Sequence, residues 1–232
     1  MVHQGISNER RKELEQLDPL QKNLLKAMAY AGIYKKQLLL VSGAVVVAAV
    51  VFAGIMISFQ HSESEASNLL AQANARYDSL AQDPQKAHQA VKQDFEIVLN
   101  KYANTNAGKM ARITYAGICM EAGEYDTAGA LYEKALNSSG DQAAMRNFLL
   151  SSLGHAWLAR NDLDRAKTYF QQIETGNLDL LKDESRFVLA QIYASEQKMD
   201  ASQKMYEKLV AENQNSLYTS LAQDKLSTGP VQ

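Results

Sequence analysis

One uninterrupted apolar run stands out in an otherwise polar chain. Residues Leu38 to Phe59 include no charged residue and no proline. At about 1.5 Å per residue, a helix of this length measures about 33 Å, enough to cross a hydrocarbon core of about 30 Å. The pattern therefore predicts a membrane-spanning helix over residues 38–59, between a short head, residues 1–37, and a polar body, residues 60–232.

The length and position of the run disfavour a cleaved signal peptide and a buried core helix. A cleaved signal peptide has an apolar core of about 7–15 residues near the N-terminus, whereas this run is longer and begins at position 38. A buried helix of a globular domain is rarely apolar on every face for about six turns. The run is therefore interpreted as an uncleaved signal anchor.

The charges on either side of the run predict its orientation. The lysines that closely precede it are Lys22, Lys26, Lys35 and Lys36. The segment after it carries the acidic residues Glu63 and Glu65 and, before Tyr77, the basic residue Arg76. By the positive-inside rule, the head is cytoplasmic and the body lies outside the cytoplasm.

Small residues at four-residue spacing recur inside the apolar run. They are Ala44 with Ala48, Ala49 with Ala53, and Gly54 with Ser58. Such spacing allows close approach of a second helix in a membrane. The alternative is that small residues only fill the span, and the sequence leaves both interpretations open.

The head has two predicted parts. Residues 1–12 are polar and are expected to be disordered. Asp18 followed by Pro19 is typical of a helix start, and apolar residues then recur at helical spacing as Leu20, Leu24, Leu25 and Met28. This segment is either an amphipathic helix near the inner leaflet or a docking helix for a partner.

The body repeats itself. An aromatic residue recurs every 36–38 residues, as Phe95, Tyr132, Phe170 and Tyr206. A period of this length with helical apolar spacing indicates stacked helical hairpins. The segment from Ala111 to Leu136 resembles a tetratricopeptide repeat (TPR), and two further segments, residues 150–173 and 186–209, place similar residues in the same positions.

Small residues allow such hairpins to pack closely. Ala116 and Gly154 would let the second helix of a hairpin approach the first, and Trp157 would pack in the repeat core. The turn glycine of the first unit, Gly123, is replaced by Asn161 and Gln197 in the later units. Together the repeats predict an all-α, TPR-like solenoid.

The two ends of the solenoid depart from the repeat pattern. A first hairpin is expected from about residue 64 to residue 103, divided at Asp83-Pro84. A capping helix is expected near residues 216–226, with one apolar face made of Leu217, Leu221, Ala222 and Leu226. Such a cap shields the last apolar face of a solenoid.

The chain carries no recognisable catalytic pattern. Its formal net charge of −2 does not suggest nucleic-acid binding, which usually needs a concentrated basic surface. The four histidines are dispersed, and no P-loop, dinucleotide or GxSxG motif occurs. We expect no enzyme activity, metal, cofactor or small-molecule substrate. The single cysteine, Cys119, is expected to be an inert buried thiol, with an intermolecular bridge as the alternative.

Resemblance to TPR arrays implies that the first helix of each hairpin lines a concave side. The residues in that register are Met110, Ile113, Met120, Phe148, His155, Leu158, Phe187 and Gln191. An adaptable apolar groove of this kind suits a bound polypeptide. The alternative is that these side chains pack against the first hairpin, the cap or a second subunit.

A signal anchor near residue 40 followed by a TPR body resembles the YfgM-type ancillary subunits of the bacterial Sec translocon. The segment from Lys101 to Gly117 is similar to the start of a repeat in bacterial envelope TPR proteins. The resemblance implies an inner-membrane protein with a periplasmic body that contacts translocon subunits, chaperones and exported clients. A structural accessory subunit or an assembly factor of a membrane complex fits the same architecture.

Overall fold

The computed structural model describes residues 19–140 and 142–228. Within these ranges the chain forms helices and no strand, which confirms the all-α prediction. The helices are α1 (Pro19–Ile33), α2 (Lys35–Asp78), α3 (Pro84–Lys101), α4 (Asn106–Glu121), α5 (Tyr125–Ser138), α6 (Ala143–Ala159), α7 (Leu163–Glu174), α8 (Lys182–Ser195), α9 (Met199–Glu212) and α10 (Leu217–Thr228). The predicted disorder of residues 1–12 and the cap at Asp18 lie outside the described residues.

The chain divides into two compact units, residues 1–60 and 61–232. In the first unit, α1 begins at Pro19, where the sequence predicts a helix start. The most apolar stretch of α2 is long enough to cross a membrane and is not buried by the protein, unlike the core helix of a globular domain. The residues predicted for helix pairing, namely Ala44, Ala48, Ala49, Ala53 and Gly54, are exposed, and their pairing stays a prediction.

The helix α2 continues past the predicted end of the span. The sequence predicts a separate first hairpin from about residue 64, whereas the structure shows one helix to Asp78. Residues 60–78 contain no proline or glycine to end the helix. In the second unit this part of α2 buries Ala66, Leu70 and Ala73.

The second unit is a stack of helical hairpins. The body part of α2 shares an apolar core with α3. The pairs α4–α5, α6–α7 and α8–α9 follow, with α10 at the end. The main helix contacts within this stack join neighbours in the chain. This is the expected architecture of a helical solenoid, in which each unit buries its apolar face on the next.

The repeat aromatics form the centre of the body. Phe95, Tyr132, Phe170 and Tyr206 are buried, each on the second helix of a hairpin. Gly154 is required where α6 meets α7, because a Cβ atom there would lie 2.5 Å from the Phe170 ring. Trp157 is buried nearby and carries the Arg165 guanidinium over its ring at 3.6 Å. These positions confirm the predicted packing.

The turns of the last three hairpins share one backbone geometry despite their different residues. Gly123, Asn161 and Gln197 have φ values of 80°, 59° and 61°. In each turn the next residue donates its backbone N–H to a carbonyl five residues earlier in the preceding helix. The two non-glycine residues therefore hold the left-handed conformation that glycine adopts without steric cost.

The capping helix is present, and half of its predicted apolar face is confirmed. Ala222 is buried and Leu226 packs against the core. Leu217 and Leu221 are wrong, because they are exposed, and Thr219 is buried in addition. The hydroxyl of Thr219 donates to the carbonyl of Asn213 at 2.6 Å. This local hydrogen bond fixes the rotation of α10 about its axis, and the two leucines turn away from the core.

Candidate protein-interaction surface

Polar contacts at both ends show that the body part of α2 and helix α4 run parallel. The carboxylate of Glu63 accepts hydrogen bonds from the backbone N–H groups of Asn106 and Ala107, at 2.7 and 2.9 Å. The hydroxyl of Tyr77 donates to Glu121 at the other end. Glu63 thus satisfies free N–H groups at the start of α4 and complements the helix dipole.

The first helices of the next hairpins are also parallel. The side-chain amide of Asn147 on α6 donates to the carbonyl of Leu180, just before α8, at 2.8 Å. One turn later the hydroxyl of Ser151 donates to Glu184 at 2.7 Å. The repeat register therefore aligns equivalent positions in rows across the first helices. One row contains Met110, Phe148 and Glu184, and another contains Gly117, His155 and Gln191.

Two of the predicted apolar lining residues are open to solvent. Met110 on α4 is 52% exposed and Phe148 on α6 is 46% exposed. We call the surface around these two residues the open half. Its other predicted members, Ile113 and Met120, are half-buried against the core of the first two hairpins.

The adjoining surface is closed by internal contacts. One carboxylate oxygen of Glu184 accepts from Ser151, and the other lies 2.9 Å from His155 Nε2. Burial alone raises the pKa of Glu184, but the hydrogen bonds from His155 and Ser151 outweigh it, so the pKa lies below its usual value. We call Ser151, His155, Glu184 and Phe187, with α8 and α10, the closed half.

Aromatic packing completes the closed half. The Phe187 ring lies 5.8 Å from Tyr206 and 5.2 Å from Tyr218 on α10, centroid to centroid. His155 meets the Phe170 ring edge-on at 5.3 Å. Of the remaining predicted lining residues, Leu158 is half-buried against the core and Gln191 is exposed. The eight residues thus separate into exposed and packed positions.

The polar cluster in the closed half is internally satisfied. Ser151 donates to one carboxylate oxygen of Glu184, and His155 occupies the other. Among the residues that the structure describes, no group of His, Cys, Asp and Glu could hold a metal ion. Cys119 is fully buried, as predicted, and burial raises the pKa of its thiol to about 11.

A buried ion cluster was missed by sequence reasoning. The Arg186 side chain is 3% exposed and donates to Glu174, Glu212 and Asn213, which lie on α7 and at the end of α9. Glu174 also accepts from Lys208. The sequence signal is an arginine among the buried positions of α8, between Ser185 and Val188. The partners of Arg186 become its neighbours only in the folded chain.

A protein-family profile agrees with this architecture. The chain belongs to the family of tetratricopeptide repeat-like domains, whose profile matches residues 35–227. The solved structure of BtubC (BKLC) from P. vanneervenii is similar, with 18% sequence identity and a TM-score of 0.47 over 69% of this chain and 72% of that chain. No curated protein matches the chain. A TPR-like helical domain indicates a protein–protein interaction scaffold.

Proposed function

We propose that this protein is a membrane-anchored, non-catalytic scaffold that binds polypeptide through the open half of its body. The observation that carries the proposal is the exposure of Met110 and Phe148 at equivalent positions of two successive first helices. Large apolar side chains aligned across parallel helices offer two adjacent contacts to one extended segment.

The chemistry of the open half favours an apolar segment with little sequence selectivity. Methionine is flexible and polarisable, and such side chains adapt to different partners. A site of this kind suits a protein that meets many different polypeptides. The closed half contributes fewer contacts, because Ser151, His155 and Glu184 already satisfy one another.

The proposed location follows from the chain itself. The lysines before the apolar run and the acidic residues after it support a cytoplasmic head and a body outside the cytoplasm. With the resemblance to YfgM-type proteins, this favours the periplasmic face of a bacterial inner membrane. There the scaffold would assist polypeptides leaving the Sec translocon, together with translocon subunits and periplasmic chaperones.

A second candidate function is a structural accessory subunit or an assembly factor of a larger membrane complex. One observation favours it: Ile113, Met120, Leu158 and Phe187 are packed against the protein's own core. The open apolar area is therefore small, which suits one fixed partner as well as many transient ones.

The test compares two double variants of the full-length protein in its native membrane. Met110→Ser with Phe148→Ser removes the exposed apolar contacts of the open half. The control, Ile97→Ser with Met199→Ser, removes two residues of similar exposure, each 43%, from second helices. The readout is purification in mild detergent followed by identification of the bound proteins.

We expect the first variant to lose its bound proteins and the control to retain them. A changing set of exported polypeptides and chaperones supports the translocon role, whereas one stoichiometric complex supports the accessory-subunit role. If both variants retain their bound proteins equally, the open half is not the polypeptide-binding surface. Circular dichroism of each variant checks that the helices are intact.

A further inference from the structure

Three exposed leucines lie at one edge of the body, where the first helices begin. Leu178 and Leu180 lie in the loop between α7 and α8, and Leu217 is the first residue of α10. Their exposed fractions are 37%, 46% and 89%. We call the starts of α4, α6, α8 and α10, with the loops before them, the loop edge.

The backbone that carries these leucines is fixed to the repeats. Asn147 donates to the carbonyl of Leu180 at 2.8 Å, which attaches the loop to α6. The hydroxyl of Ser216 donates to Asp183, which attaches the start of α10 to the start of α8. The leucines therefore belong to ordered segments on both sides of α8, and their exposure is a property of the folded surface.

The chain also enters the body at the loop edge. Glu63 binds the first N–H groups of α4, and Glu65 accepts from the Tyr102 hydroxyl at 2.6 Å, just before α4. The predicted span ends at Phe59, only four residues before Glu63. In sequence order, the loop edge is therefore the part of the body that comes directly after the predicted span.

The opposite edge of the body contains the hairpin turns within each repeat. Acidic residues outnumber basic ones at both edges, and at the loop edge they include Glu63, Glu65, Glu174, Asp179, Asp183 and Glu212. Among the described residues of the opposite edge, the large hydrophobic side chain that is exposed is Met199, at 43%. The two edges therefore differ in their exposed apolar residues and not in the sign of their charge.

From these observations we propose that the loop edge rests on the bilayer surface, with Leu178, Leu180 and Leu217 in the interfacial layer. Exposed apolar side chains at a membrane boundary are stabilised by entering the acyl region. The three leucines project from two separate segments, which suits a fluid apolar phase better than a shaped pocket. This inference rests on the membrane anchoring in the proposed function, but it does not involve the open half.

The test measures the depth of labels on the full-length protein in vesicles of phosphatidylethanolamine and phosphatidylglycerol. An environment-sensitive fluorophore is attached to one new cysteine at a time: Leu178→Cys, Leu217→Cys, Met199→Cys or Val47→Cys. The native Cys119 is buried with a raised pKa, so it does not compete for the label. Brominated lipids then quench fluorophores that reach the bilayer.

We expect quenching at Leu178 and Leu217 to be several-fold stronger than at Met199 on the hairpin-turn edge. Val47, in the middle of the span, is the control for insertion. If Val47 is quenched while Leu178 and Leu217 behave like Met199, this inference is overturned and the anchoring stands. If Val47 is not quenched, both the membrane anchoring and this inference are contradicted. If labels at Leu217 report contact between copies of the protein instead of lipid, the leucines form a protein interface and the inference is also overturned.

Discussion

The open and closed halves of the first-helix surface share one repeat register but differ in the side chains at equivalent positions. At equivalent positions, the open half exposes Met110 and Phe148, whereas the closed half places Glu184 in hydrogen bonds with Ser151 and His155. The repeat pattern therefore determines where the helices lie. The side chains at solvent-facing positions decide whether the surface is available to a partner.

The two halves also differ in what holds them together. The open half adjoins a core of apolar side chains that includes Ala116 and Tyr132. The closed half adds a buried ion cluster centred on Arg186 and an aromatic contact between α8 and α10. The difference predicts that substitutions of the same type have unequal effects in the two halves.

The largest expected effect is the loss of the buried guanidinium in the closed half. Arg186→Ala should lower the free energy of unfolding by about 3–5 kcal/mol, because it leaves the Glu174 carboxylate buried with one fewer partner. Arg112 on α4 is the matched control, since its contact is a 3.4 Å hydrogen bond to Ser138 at the surface. Arg112→Ala should cost less than about 1 kcal/mol.

Denaturant unfolding of the body, residues 60–232, measures both changes. Equal losses for the two arginine variants would contradict the assignment of Arg186 to a buried cluster.

A pair of glycine substitutions should change stability in opposite directions. Gly154→Ala should destabilise the body by about 1–2 kcal/mol, because the new methyl group meets the fully buried Phe170 ring and overpacking outweighs the gain in helix propensity. Gly117→Ala should stabilise it by about 0.5–1 kcal/mol, since the nearest atom is the Tyr132 hydroxyl oxygen at 3.7 Å.

Thermal unfolding measures the stability of each glycine variant relative to the native protein. A stabilised Gly154→Ala variant would show that Phe170 can shift and that the closed half is loosely packed around it.

The smallest expected effect is a pH dependence that belongs to the closed half. The pKa of Glu184 is lowered in the folded state, so its contribution is complete above its unfolded pKa of about 4.3 and is lost as the pH falls through the folded value. Glu184→Gln removes this titration. The difference in unfolding free energy between the native protein and the variant should therefore shrink as the pH falls from 7 towards 3.5.

Unfolding curves of the native protein and the variant, measured from pH 7 to about pH 3.5, test this prediction. A constant difference between the native protein and the Glu184→Gln variant would mean that the carboxylate gains nothing from His155 and Ser151.

The fold was largely predictable because it depends on local periodicity. The spacing of the repeat aromatics located the second helices, and the close helix approach predicted at Gly154 is confirmed. Asn161 and Gln197 were recognised as the turn positions, and the structure shows that they adopt the glycine-like backbone. Such features are fixed by residues close in sequence.

The surface was less predictable because it depends on residues distant in sequence. Glu184 meets Ser151 and His155 across about 30 positions, and Arg186 gathers partners from two other helices. The rotation of α10 is set by the hydrogen bond between Thr219 and Asn213, which no apolar pattern reveals. For this reason Leu217 was assigned to the core and lies at the surface.

Site-specific photocrosslinking on the full-length protein in its native membrane tests the central claim most directly. A photoreactive side chain is placed at Phe148 in the open half, at Gln191 on the first helix of the closed half, or at Ile97 on a second helix. The account predicts strong crosslinks to polypeptide from position 148 and weak ones from positions 191 and 97. Crosslinks from Gln191 or Ile97 that equal or exceed those from Phe148 would contradict it.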